Sequence, residues 1–269
     1  MARRNALRLI AACALIITIA YFSIANIVTT SNNESLSLEE LFKKAEKGDA
    51  QAQYQIGSSH HFGYRAQKDL ALALSWYEKA ARQGLPRAQY MAGILLGTNQ
   101  IKTRLGLSDE DADKRALEWF QKSAEQEFSG AQERLGLYYS LGWGVKEDPS
   151  LAVKWYEKAA KQGNWEAQDS LAHHYYEGLG VPQYFKKAAY WYLKAAEQDS
   201  YDAQYSLGRL YQDGKGVPQD FAEAYFWINL AASKFPPYAR VRDDIAKGLP
   251  QDVLISLQKR ASKWKPKKQ

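Results

Sequence analysis

Apolar positions between residues 38 and 264 recur at helical spacing, and the helical pattern itself recurs at a longer period. In the stretch 127–162, Ala131, Leu135, Tyr138 and Tyr139 fall on one face of a helix. Gly142 and Gly144 interrupt that helix with a turn. Asp148-Pro149 then offers an N-cap followed by a first-turn proline. Ala152, Trp155, Tyr156, Ala159 and Ala160 make the apolar face of a second helix. The pattern predicts a helix–turn–helix hairpin. It returns with Ala-Gln pairs at Ala52-Gln53, Ala88-Gln89, Ala131-Gln132, Ala167-Gln168 and Ala203-Gln204, spaced 36, 43, 36 and 36 residues apart. A Trp follows each pair, at Trp76, Trp119, Trp155, Trp191 and Trp227. A fixed period in this range predicts an all-α solenoid of five stacked hairpins.

Small residues mark where helices approach closely. Gly57, Gly93, Gly136, Ala172 and Gly208 share one position of the first helices. Glycine costs about 1 kcal/mol against alanine inside a helix, so its return argues for tight packing. The Trp-Tyr and Trp-Phe pairs are expected to fill the space between neighbours as core. Ser37-Leu38-Glu39-Glu40 is a capping box that opens a half-repeat helix. Pro236-Pro237 ends the pattern, and two helices, about 238–247 and 251–264, are expected to close the stack. The second repeat carries seven extra residues, expected as a loop around Gly97–Asp113.

The N-terminus is of another kind. Residues 1–8 are a basic flank, and residues 9–28 run without a charged side chain for about the length that spans a bilayer. The same layout suits a transmembrane anchor or a cleaved signal peptide, with small residues at Ser23 and Ala25 before a cut at Asn26. Ile10-Ala11-Ala12-Cys13 loosely resembles a lipobox, but the apolar run before Cys13, the sole cysteine, is too short and continues well past it, which favours an ordinary small apolar residue in a membrane helix. The basic flank stays on the cytoplasmic side, so the remainder is expected to be exported. Residues 29–37 read as a linker, 38–264 as the solenoid and 265–269 as a basic tail.

The net charge of +6 is carried by the ends. Three arginines before residue 9 and six cations from Lys259 onward exceed it, which leaves 9–258 at net −3. A mildly acidic body offers no footprint for a phosphate backbone, so nucleic acid is not expected as a partner. No disulfide framework or thiolate metal site fits a body without cysteine.

The repeated sequence reads Ala-Gln-x-x-Leu-Gly-x-x-Tyr, then Gly-x-Gly-Val, then Ala-x-x-Trp-Tyr-x-Lys-Ala-Ala. Gly-Leu-Gly-Val-Pro-Gln (178–183) and Gly-Lys-Gly-Val-Pro-Gln (214–219) match it almost letter for letter. This resembles the Sel-one-like repeat family of tetratricopeptide-like α-solenoids. The resemblance implies a right-handed α/α superhelical solenoid and a scaffold or adaptor role, often outside the cytoplasm. Cysteine-rich members with β-lactamase-like descriptions pair cysteines within each repeat, which this chain cannot do. The first repeat departs from the pattern, with Gly63-Tyr64-Arg65 in place of Gly-x-Gly-Val.

Chemistry finds little support. Ser256-x-x-Lys259 stands in a closing helix without companion motifs. His60-His61 and His173-His174 lie three repeats apart, and solenoid repeats contact only their neighbours. No catalytic residue, metal or cofactor is expected. Partner binding is expected instead in a concave groove of first helices, at non-consensus positions. These are Tyr54, Tyr90, Glu133, Asp169 and Tyr205, with Arg209 in a second row; Trp143 on a turn and Trp165 and Tyr201 at helix starts join them. The reading is an adaptor for a protein or peptide, in a bacterial inner membrane as a single-pass protein with its repeats in the periplasm, or secreted there after cleavage. The alternative is a cell-envelope glycan-binding or hydrolytic protein on the same scaffold.

Overall fold

The computed structural model describes residues 36–267. The basic flank, the apolar stretch 9–28 with Cys13, the linker up to residue 35 and the last two residues lie outside the described residues. The chain divides between Glu40 and Leu41 into two compact units, each taken by itself. In the first, the expected capping box closes: Ser37 N–H donates to Glu40 Oε2 at 2.8 Å, and Glu40 N–H donates to Ser37 Oγ at 3.2 Å.

In the second unit all regular structure among the described residues is helical. Helix α1 (Leu38–Glu46), which begins in the first unit, is followed by five hairpins. They are α2 (Ala50–Phe62) with α3 (Leu70–Arg82), and α4 (Pro86–Leu96) with α6 (Asp109–Glu125). Next come α7 (Ser129–Leu141) with α8 (Pro149–Lys161), α9 (Trp165–Glu177) with α10 (Phe185–Glu197), and α11 (Tyr201–Asp213) with α12 (Phe221–Lys234). A 3₁₀ turn (Pro236–Tyr238), α13 (Ala239–Ala246) and α14 (Gln251–Lys263) close the stack. Each hairpin helix packs chiefly on the hairpin helices before and after it, the short inserted α5 lying outside that succession, as a solenoid requires. The start signals work as predicted: Asp148 Oδ1 accepts from Leu151 N–H at 2.9 Å, and Pro149 occupies the first turn.

The seven extra residues are not a free loop. They supply α5 (Asn99–Leu105) and a longer α6, capped by Ser108. Ile101, on the added helix itself, is completely buried and gives the insertion an apolar anchor.

The expected aromatic core holds for Trp76 and Trp227, which are buried, and is corrected for the other three tryptophans. Trp119, Trp155 and Trp191 are only partly buried, whereas the residue after each Trp is the interior one. Tyr77, Phe120, Tyr156, Tyr192 and Ile228 are at most 5% exposed. They explain the first-helix glycines: a Cβ at Gly136 would stand 2.5 Å from the Tyr156 ring, and at Gly93 2.6 Å from Phe120. Lysines cover several tryptophan rings, with Lys79 over Trp76 at 3.8 Å and Lys158 over the half-buried Trp155 at 4.1 Å.

The Gly-x-Gly-Val turn has its own contact. Gly144, Gly180 and Gly216 hold φ of +62°, +71° and +74°. A Cβ on any of them would run into the backbone of the preceding repeat's second helix, at Asp113, Pro149 and Phe185 respectively. The repeat motif therefore encodes contact between hairpins as well as a turn within one.

Candidate partner-binding site

The Ala-Gln pair sets the framework. Its alanine is buried against the neighbouring helix in every repeat. Its glutamine donates to the carbonyl of an alanine closing the preceding second helix: Gln89 to Ala81 at 3.1 Å, Gln132 to Ala124 at 3.3 Å, Gln168 to Ala160 at 3.1 Å and Gln204 to Ala196 at 3.2 Å. A second glutamine, just past the end of each second helix, donates to the first. Gln83 bonds Gln53, Gln126 bonds Gln89, Gln162 bonds Gln132 and Gln198 bonds Gln168, all between 2.8 and 2.9 Å. These ladders satisfy helix-end carbonyls that would otherwise be orphaned. In the fifth repeat Lys234 takes the second glutamine's place and pairs with Asp199, so Gln204 Oε1 is buried without a partner.

One residue further along each first helix, about 100° around it, runs the predicted row Tyr54, Tyr90, Glu133, Asp169 and Tyr205. Here the polar groups are not satisfied in the same way. Glu133 is buried and forms an ion pair with Arg134, whose Nε is 3.1 Å from Glu133 Oε2. Burial raises the Glu133 carboxyl, and the Arg134 charge opposes it. Glu166, in the first turn of α9, is pushed up to about 7 by burial and then by the charge of Glu133. Asp169 is likewise pushed up to about 7 by burial, then by Asp202 and Glu166. Its Oδ1 is withdrawn from solvent and has no hydrogen-bond partner. Asp202, on α11, is raised by burial even though Tyr238 donates to it at 2.7 Å.

Aromatic rings bound this acidic strip at both ends. Tyr90 packs on Phe120 and Phe128, 6.0 and 5.2 Å between centroids, and its hydroxyl lies in reach of Arg134. At the other end Tyr205 stacks on Tyr238 at 4.0 Å and Tyr201 on Phe235 at 5.8 Å. The closing segment thus supports both tyrosines. Tyr54 packs on Tyr77 at 5.5 Å, and Arg209 is half-buried. Trp165 is half-buried at the start of α9. Trp143 lies away from the strip, edge-on to Tyr138 at 5.5 Å. The structure therefore brings Glu133 and Asp169 into one strip with Tyr90, Tyr201 and Tyr205. It adds Glu166, Asp202 and Arg134, which the sequence did not single out.

Three of the four histidines, His60, His61 and His174, are buried, and His173 is exposed. His174 Nδ1 lies 3.0 Å from the Leu179 carbonyl, which fixes its proton there, and Nε2 accepts from Ser140 Oγ at 3.1 Å. At 3% exposure the ring serves as a tie between α7 and α9 and offers no open face to a substrate. His61 is pushed down to about 4 by burial and then by Lys68. Among the described residues no three His, Cys, Asp or Glu side chains converge as metal ligands. No described helix is long and apolar enough to cross a membrane, and residues 9–28 lie outside the described part.

Comparison with known proteins places this geometry. The Sel1 repeat model matches residues 50–85, 86–128, 129–164, 165–200 and 202–234, in register with the five hairpins. A solved protective antigen of uropathogenic Escherichia coli strains displaying an SLR fold is 30% identical at a TM-score of 0.76. The match covers 87% of this chain and 49% of that one. A solved Sel1 repeat protein from Oxalobacter formigenes is 30% identical at a TM-score of 0.62, over 70% of this chain and 74% of that one. An Arabidopsis thaliana ERAD-associated E3 ubiquitin-protein ligase component, HRD3B, is 34% identical over 106 residues, which is 39% of this chain and 15% of that protein. The chain thus spans less than half the length of two of these three relatives.

Proposed function

The chain belongs to the Sel1 repeat family, whose solenoids are generally scaffolds for protein–protein interaction, and on that premise we propose that it is an adaptor that binds a protein or peptide across its first helices. One observation carries this reading. The glutamine ladders satisfy the helix ends of the first four repeats, while in the adjacent row of tyrosines and carboxylates Asp169 Oδ1 is left without a hydrogen-bond partner. A surface of that kind recognises a partner and makes no covalent chemistry. Residues 9–28 would tether the repeats to a membrane or direct them across it, into the bacterial periplasm.

Two experiments test the proposal. A photo-crosslinking amino acid at position 54, 90 or 205 of the full chain is expected to give protein adducts, and one at the exposed position of Tyr190 none. Equal adducts from both sets contradict the assignment. An alkaline phosphatase fused after residue 35 is expected to be active, and an inactive fusion contradicts export.

A further inference from the structure

Four carboxylates, Glu133, Glu166, Asp169 and Asp202, lie on α7, α9 and α11, and the Arg134 guanidinium beside them pairs with Glu133. Arg134 also reaches Glu166, whereas Asp169 feels chiefly the charges of Asp202 and Glu166. Asp202 is the best served, through the Tyr238 hydroxyl, while Asp169 Oδ1 has no donor. A flip about the last side-chain bond exchanges the two Asp169 oxygens, so either one can be presented outward. The rings of Tyr201 and Tyr205, held by Phe235 and Tyr238, border the acids.

What would complete this arrangement is positive charge. A metal ion is disfavoured by spacing, since no three ligating side chains converge there among the described residues. A long side chain with several donors and a flat or compact cation suits it better: it can bridge carboxylates on different helices and lie against a tyrosine face. Resting on the adaptor reading above, we propose that this strip takes an arginine or lysine side chain from a basic segment of the partner, seated between Glu166, Asp169 and Asp202 and flanked by Tyr205. The net −3 of residues 9–258 would favour the approach of such a segment, and would repel an acidic one.

Selection of displayed random dodecapeptides on the full chain in detergent micelles tests this without knowledge of the partner. The comparison proteins are Glu166→Gln/Asp169→Asn/Asp202→Asn and Tyr205→Ala. The amides keep the side-chain shape, and circular dichroism melts verify folding. The expected result is that enriched peptides share an Arg or Lys and bind the amide variant at least tenfold more weakly. Replacing that Arg by citrulline should cost the same factor on the unaltered protein, which removes any question of a misfolded variant. Peptides that lose binding on Tyr205→Ala yet tolerate both citrulline and the amide variant would overturn the cation proposal and leave the adaptor face standing. If no peptide prefers the native chain over both variants, both readings fall.

Discussion

Two rows of side chains, one residue apart in sequence, teach different lessons. Gln89, Gln132 and Gln168 each donate to a preceding helix end and accept from a second glutamine. Of their acidic neighbours, Glu133 is buried beside Arg134, while Glu166, Asp169 and Asp202 are half-buried and Asp169 Oδ1 has no donor. The first row makes a stack. The second burdens it, because a buried carboxylate is unfavourable unless something neutralises it. On the adaptor proposal, such a cost in otherwise well-satisfied hairpins is what a surface kept for binding would carry.

The structural side breaks most sharply at Gly180. Alanine there meets both a left-handed backbone and the Pro149 main chain, and a loss of about 4 kcal/mol is expected in urea unfolding. Gly106→Ala, left-handed but in open space, should lose only about 1 kcal/mol. The ladder comes next. Gln132→Ala removes the donor to Ala124 and the acceptor for Gln162, and a loss of about 3 kcal/mol is expected.

The acidic row should respond with the opposite sign. Asp169 is raised to about 7 when folded, above the ordinary carboxylate value of the unfolded chain. Between those values the folded state holds the extra proton, so its stability falls as pH rises through this window. Asp169→Asn should therefore gain about 2 kcal/mol at pH 8, shrinking as the pH falls toward 4. Equal midpoints for the two proteins at every pH would erase the contrast between the rows. The smallest effect completes the ladder: Lys234→Gln gives Gln204 Oε1 a donor, and a gain of about 1 kcal/mol is expected from denaturant midpoints.

Much of this architecture was legible because it repeats. The period revealed five hairpins, and the Ala-Gln pairs and first-helix glycines marked the contacts. What those contacts were was less legible. Each Trp stands beside a Tyr, Phe or Ile, and composition alone favours the larger ring as core, yet the small position of the first helix faces the smaller one, as Gly136 faces Tyr156. The inserted residues look polar enough for a loop until Ile101 is seen to be buried. At the candidate site, variability along the repeats exposed Glu133, Asp169 and Tyr205. Glu166 and Asp202 escaped notice because acids in a first helical turn are expected from the helix dipole alone. Only packing three hairpins side by side turns them into one field.

The most direct measurement is a carboxyl ¹³C NMR titration of the full chain in micelles, with Glu166 and Asp169 assigned by Gln and Asn substitution. Both carboxyls are predicted to titrate near pH 7. Midpoints near pH 4 for both would mean that the strip is solvated or already neutralised, and the account of a face held in readiness for a cationic partner would be wrong.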